Sequence, residues 1–275
     1  MSYGLILTQP SYIGGAAQPG VTLQHTLMNH SMTVASIAHQ LNESHLLAPY
    51  GLPFILGETN SLYNEGAPGL SNSFGAALWG VDFNLWCASQ NISQVYMHQG
   101  TDYRYAAWQP IETNKTTKGT KPPYYGNIAV AAVMGNLASH DVTIANLPMI
   151  SSMNSAYAAY VDGELSRIAV INMFQYNYTT TSSIQRPIVR YHFRVAEHCA
   201  GRVGIQRLMA NGSDAISGIT FDGYSYNYEL ENGAPVLLHN ITRGENIYVS
   251  RQGALTVDVP DSSAVILNLR CGKYA

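Results

Sequence analysis

The rhythm of apolar residues changes near Val142, and that break limits the possible folds more than any other feature of this chain. Ahead of it, helical and strand-like segments alternate. Leu27, Val34, Ile37 and Leu41 recur at helical spacing within Val21–Leu47, and Pro49, Gly51 and Pro53 end that run. Phe54-Ile55-Leu56 is a short apolar run between turn residues, as expected of a strand buried on both faces. Phe74, Leu78, Val81 and Leu85 form one stripe of a helix over Ser73–Ser89, with Ser71 or Ser73 as its N-cap. Gln94–Met97 reads as a second short strand, Gln99–Pro123 as a long loop and Tyr124–Ser139 as an Ala-rich helix. Strand, loop and helix in repetition is the grammar of a parallel α/β architecture, where the segments after the strands carry the site.

Beyond Val142 only strands are legible, among them Ala156–Val161, Ser166–Phe174, Val189–Val195, Val203–Met209, Asn246–Ser250 and Ala264–Leu269. Several alternate apolar and polar residues, and Asn-Gly, Asp-Gly and Gly-Glu-Asn turns separate them. That pattern predicts an antiparallel β-sandwich. The expected organisation is an α/β domain over residues 1–141 and a sandwich over 142–275. The second is expected to fold alone, and the first to aggregate through exposed strand edges when cut away.

Composition narrows the function. Charged residues make up 11% of the 275, against roughly 25% in an average soluble domain, so Ser, Thr, Asn, Gln and 19 tyrosines must cover the surface. A net charge of −3 leaves no excess of Lys and Arg to neutralise phosphates, which excludes a general nucleic-acid binder. No run of about 18 apolar residues occurs, as a membrane-spanning helix needs. Met1–Pro19 lacks the basic and apolar regions of a secretion signal. Yet seven Asn-x-Ser/Thr sequons, at Asn29, Asn42, Asn91, Asn114, Asn177, Asn211 and Asn240, favour descent from a secreted glycoprotein. Three cysteines are too few for a disulfide framework or a zinc site. Cys87 reads as a buried thiol, and Cys199 and Cys271, in strand-like sequence, are either bridged or two separate buried thiols.

Acidic residues are scarce in the first half, where only Glu43, Glu58, Glu65, Asp82 and Asp102 precede Glu112. Glu58 ends the apolar strand Pro53-Phe54-Ile55-Leu56-Gly57. A charge there costs desolvation energy unless it is hydrogen-bonded, so such a residue is usually functional; the other reading is a carboxylate capping the next loop. Glu43 and Glu65 are expected in solvent, and Asp82, beside Trp79 and Trp86, on a helix surface or in helix packing. His25, His30, His39 and His45 include no i, i+4 pair, which argues against a metal site. No P-loop, Gly-x-Ser-x-Gly or Gly-x-Gly-x-x-Gly occurs.

Gly57-Glu58-Thr59-Asn60-Ser61-Leu62-Tyr63, followed by Phe74-Gly75-Ala76-Ala77-Leu78-Trp79 and Asp82, resembles glycoside hydrolase family 79, the β-glucuronidase and heparanase-related group. Tyr96-Met97-His98-Gln99-Gly100, Tyr105, Trp108-Gln109-Pro110 and Tyr124-Tyr125-Gly126 extend the resemblance, which runs from about Val21 to the C-terminus. It implies the C-terminal part of a (β/α)₈ TIM barrel followed by a β-sandwich. It also implies retaining cleavage of β-linked glucuronides, a glucuronic-acid-containing carbohydrate as partner, no cofactor and an extracellular location. In such chemistry one carboxylate attacks the anomeric carbon and a second, about 5–5.5 Å away, protonates the leaving oxygen. By resemblance Glu58 is the nucleophile at the end of the seventh barrel strand, and His98, ending the eighth, lines the sugar site. Tyr63 and Tyr105 match tyrosines on the side of the uronate carboxylate, which phenol hydroxyls can bind without a full counter-charge.

The departures matter equally. A complete barrel needs about 250 residues, whereas about 140 precede Val142. The family's acid/base is a Glu after Asn on the fourth strand; Asn42-Glu43 and Asn64-Glu65 both sit in the wrong context, and Met1–Gly20 does not resemble the family. The expectation is the C-terminal half of a glucuronidase lacking its acid/base Glu and inactive by itself. The alternative is an inactive remnant or a carbohydrate-binding β-sandwich protein.

Overall fold

The computed structural model describes residues 7–181, 183–239, 241 and 243–271. Three parallel strands, β1 (Leu7–Gly15), β2 (Phe54–Tyr63) and β3 (Gln94–Met97), form a sheet with β2 in the middle. The sequence pattern hides β1, because Pro10 and Gly14-Gly15 interrupt its apolar residues. Pro10 is tolerated because β1 is an edge strand, and the register against β2 shifts beside it, between Thr8 and Pro10.

Val21–Leu47 is not one helix. A π-helical turn, Leu23–Leu27, precedes α1 (His30–Ser36) and α2 (Ala38–Leu47). Asn29 makes the break: its backbone is extended and its side chain accepts from Ser31 N at 3.1 Å, capping α1. After β2 comes α3 (Phe74–Ser89), capped by Ser73 and buried around most of its circumference. The segment after β3 holds a small hairpin, β4 (Trp108–Gln109) and β5 (Gly119–Thr120), and leads into α4 (Pro122–Met134), whose prolines suit a first helical turn. α3 and α4 touch backbone to backbone: a Cβ on Gly126 would lie 2.6 Å from the Ala77 carbonyl oxygen.

The rest is mostly sheet. The elements are β6 (Val142–Leu147), β7 (Asn154–Val161), β8 (Glu164–Asn172), α5 (Tyr178–Thr181), β9 (Ile188–Arg194) and β10 (Gly201–Met209). They continue as β11 (Thr220–Phe221), β12 (Tyr224–Ser225), α6 (Tyr228–Glu231), β13 (Val236–Leu237), β14 (Asn246–Val249), β15 (Ala254–Pro260) and β16 (Ser263–Asn268). One large antiparallel sheet runs β13-β12-β11-β10-β16-β8-β7-β6, with β14 also paired to β10, while β9 and β15 form a separate ribbon. Val170, Val203, Val265 and Leu267 of the large sheet pack against Tyr191, Leu255, Val257 and Val259 of the ribbon, so two sheet layers enclose a core. Cys199 and Cys271 are bonded to each other at its edge, with Cα atoms 4.2 Å apart, and Cys87 is a free buried thiol whose pKa burial pushes up.

The opposite face of the large sheet is also covered. Tyr157, Ala159, Ile171, Met173 and Ile266 share one continuous core with Leu27, Met28, Phe74, Leu78 and Phe83. Residues 142–275 thus share a core with the helices ahead of them. At its centre Asp82 is fully buried rather than on a helix surface. His30 Nδ1 lies 2.9 Å from its Oδ1, and Tyr157 Oη donates to Oδ1 at 2.7 Å and to the Asp82 carbonyl at 3.1 Å. One carboxylate therefore joins α1, α3 and β7.

Candidate active site

β2 is longer than the apolar triplet that announces it, and Glu58 lies within the strand rather than at its end. Both neighbouring ladders lose register at this place: Thr8 and Pro10 face Ile55 and Glu58, and the β2–β3 pairing shifts between Leu56 and Thr59. A bulge re-aims a side chain without ending the strand. Here Gly57 and Glu58 are exposed while Phe54–Leu56 before them and Thr59–Leu62 after them are buried. The buried polar run is fully engaged. Thr59 Oγ1 donates to the Ser11 carbonyl at 2.5 Å, and Asn60 Nδ2 donates to the His98 carbonyl at 3.0 Å and the Tyr105 carbonyl at 3.5 Å. These bonds fasten β1, the end of β3 and the following loop to the strand that presents Glu58.

Around the bulge opens a cleft of ≈ 590 Å³ lined by Tyr12, Glu58, Tyr63, Asn64, Glu65, His98, Tyr103 and Tyr105. The sequence-predicted residues Glu58, Tyr63, His98 and Tyr105 are thus neighbours. Tyr12 Oη donates to Glu58 Oε1 at 2.6 Å, and His98 Nδ1 is 3.6 Å from the same oxygen. His98 Nδ1 also lies 2.9 Å from Tyr105 Oη and 3.4 Å from Tyr12 Oη. Burial first, and then the hydrogen bond to Glu58, raise the Tyr12 pKa well above the usual phenol range; burial likewise raises that of Tyr105. Both hydroxyls therefore stay protonated donors. The rings brace one another edge to face, Tyr12 on Tyr63 and Tyr103 on both His98 and Tyr105. Gly15 makes room for this stack, since a Cβ there would lie 2.5 Å from Tyr63 Cζ.

At the rim, Asn64 and Glu65 have φ values of 62° and 65°, a left-handed pair that turns the chain over the cleft. Glu65, expected in solvent, has an exposed side chain that meets Lys115 Nζ at 2.8 Å, and Lys115 reaches Asp102 at 3.8 Å. Thr113 and Thr116 donate to Asp102, and these bonds together with Lys115 hold its pKa below the ordinary carboxylate value. The Arg104 backbone N–H donates to the Glu65 carbonyl at 2.7 Å, and its side chain does not line the cleft. Sequence reasoning missed Tyr12, Asn64, Glu65 and Tyr103. The signal for Tyr12 was the Gly14-Gly15 pair just after it, small residues that mark a close approach inside a strand. Among the described residues no group of three His, Cys, Asp or Glu side chains could hold a metal ion, and no helix is long and apolar enough to cross a membrane.

Residues 156–266 match the glycosyl hydrolase family 79 C-terminal beta domain. The chain is also 57% identical over 274 residues to a beta-glucuronidase of Aspergillus niger, covering 95% of this chain and 50% of that protein. The chain thus matches the C-terminal region of glycoside hydrolase family 79 proteins. A beta-glucuronidase of Neurospora crassa is 51% identical over 262 residues, covering 85% of this chain and 47% of its own length. The chain thus spans about half the length of the curated relatives it matches. In fold it resembles a 4-O-α-L-rhamnosyl-β-D-glucuronidase from Fusarium oxysporum, with a TM-score of 0.79 at 23% identity over 95% of this chain and 52% of that one. More distant is an arabinofuranosidase of family 51 from Xanthomonas axonopodis pv. citri, with a TM-score of 0.55 at 15% identity over 96% and 52%. Both likenesses concern fold alone.

Proposed function

We propose that this chain carries the nucleophile side of a retaining β-glucuronidase site and that Glu58 is the nucleophile. In this reading β1, β2 and β3 are adjacent staves of a (β/α)₈ barrel within residues 1–141, and 142–275 form the accompanying sandwich. The observation that carries the proposal is the bulge that turns Glu58 into a cleft with Tyr12 donating to its Oε1 at 2.6 Å. That bond occupies one carboxylate oxygen and orients the other toward an anomeric carbon, and it persists when the first becomes the carbonyl of a glycosyl ester. Tyr63, Tyr105 and His98 supply donors for a uronate carboxylate, in a lining without Arg or Lys.

A second carboxylate must protonate the leaving oxygen from about 5–5.5 Å away. Glu65 is the other carboxylate of the cleft, and at the rim its Oε2 is held by Lys115 Nζ at 2.8 Å. The acid/base therefore comes from outside this cleft lining, and the chain alone does not turn over an aryl β-glucuronide. The substrate is a glucuronic-acid-containing carbohydrate, met outside the cell; the disulfide and the sequons support that location.

A substrate whose leaving group needs no acid tests the nucleophile directly. With 2-deoxy-2-fluoro-β-glucuronyl fluoride, the expected result is a one-to-one covalent adduct on the peptide containing Glu58. It is absent in Glu58→Gln and with the glucosyl analogue that lacks the carboxylate. A folded chain that forms no adduct, or forms it elsewhere, overturns the assignment; glucuronate binding without an adduct would point instead to a sugar-binding remnant.

A further inference from the structure

Away from this site, a second cavity of ≈ 630 Å³ opens between the large sheet and the β9–β15 ribbon. Tyr178, Ile188 and Met209 form its apolar side, and Arg207, Glu245 and Asp258 its polar side. Tyr178 and Ile188 are 49% and 57% exposed, an unusual amount of apolar surface to leave facing a cavity. Arg186, which also lines the cavity, has its guanidinium held by the carbonyls of Asp261, Ala210 and Ser262, and the other charges are paired. Arg207 Nε and Nη2 donate to Glu245 at 2.9 and 2.7 Å, and Arg190 donates to both Asp258 oxygens at 2.7 and 2.8 Å. A neutral ligand with apolar faces and many hydroxyls fits such a lining, and that describes a sugar.

Asn211, an exposed residue, stands in the cavity wall, and Asn211-Gly212-Ser213 is a sequon. The turn is clamped onto the Tyr176–Tyr178 segment: Ser213 N donates to the Tyr176 carbonyl at 2.8 Å, and a Cβ on Gly212 would lie 2.6 Å from Tyr178 N. Asn211 is thereby fixed in the same cavity wall as Tyr178. We propose that Asn211 carries an N-linked glycan whose first two N-acetylglucosamine residues fold back into this cavity. The apolar sugar face lies on Tyr178, the acetamido methyl meets Ile188 and Met209, and hydroxyls reach Glu245 and Arg207. The donor is a lipid-pyrophosphate-linked oligosaccharide. Asn211 Nδ2 bonds to its anomeric carbon and loses one proton to the transferase, while the bond to the phosphate oxygen breaks and the lipid pyrophosphate leaves with the electron pair. Ser213 is completely buried in the fold, so transfer precedes folding. The inference rests on passage through the secretory route, which the Cys199–Cys271 disulfide supports, and not on the reaction proposed for Glu58.

The test is peptide mapping of the full chain secreted from a yeast fused to an export leader, with timed endoglycosidase H digestion of the folded protein. The expected result is a glycosylated Asn211 peptide whose glycan is released about tenfold slower than in Tyr178→Ala, the factor that a docked preference of about 1.4 kcal/mol gives. Ile188→Ser is expected to accelerate release likewise and serves if Tyr178→Ala melts abnormally. Any glycans on the exposed Asn42, Asn91 and Asn114 keep their release rates in both variants. An unmodified Asn211 in the secreted protein, or release at one rate in parent and variants, overturns the proposal.

Discussion

Tyr12 has one hydroxyl proton, and Glu58 takes it at 2.6 Å while His98 stands 3.4 Å away. A hydrogen bond to a charged group is worth about 1.5–3 kcal/mol. Tyr12→Phe is therefore expected to slow labelling of Glu58 by the activated fluoride about 10- to 100-fold, read as adduct mass against time. His30 offers a second residue-scale prediction. Burial alone would lower its pKa, but the hydrogen bond and charge of Asp82 override burial and hold it above the ordinary histidine value. A raised folded-state pKa stabilises fully below the unfolded value, and the gain is lost as pH rises through the folded value. The melting temperature should thus fall as pH rises from about 6.5 through the raised folded-state value, and His30→Gln should flatten that part of the profile. Equal slopes in parent and variant would refute the pairing. The place of Glu58 in a cleft was legible in the sequence because a lone carboxylate after an apolar triplet has few bland explanations. Tyr12 was harder to single out, because it is one tyrosine among 19 and the Gly14-Gly15 pair gains its meaning only once β1 is known to be a strand.

At the scale of elements, the sequence showed strands and helices wherever apolar residues kept a period, and failed where polar residues were buried. Phe54-Ile55-Leu56 was legible as a strand, but its continuation through Thr59, Asn60 and Ser61 reads as a loop until their hydrogen bonds are seen. The helix expected over Val21–Leu47 kept its periodicity across Asn29, whose capping role depends on three-dimensional context. Packing between α3 and α4 depends on the missing side chain at Gly126. Gly126→Ala would drive a methyl group into the Ala77 carbonyl, and overpacking of this kind costs about 1–3 kcal/mol. A lower urea midpoint with an unchanged slope is the expected outcome; an unchanged midpoint would mean that the helices can separate freely.

For the whole molecule, the change of rhythm at Val142 marks a change of architecture across which one core is shared. Tyr157, Ile171, Met173 and Ile266 face α3 and the turn around Leu27, so residues 142–275 without their helical cover would expose a large apolar sheet face. That fragment is expected to bind a hydrophobic dye and to melt over a broad range, whereas the intact chain melts cooperatively. A sharp, dye-free transition in the fragment would restore the two-body view. The common core also bears on how the protein withstands cleavage. Asn136–Asp141, which joins the two architectures, faces solvent throughout. A protease cutting there would sever the only covalent tie at that place and free neither piece, and the nicked protein would run as two bands in denaturant yet travel as one particle in buffer.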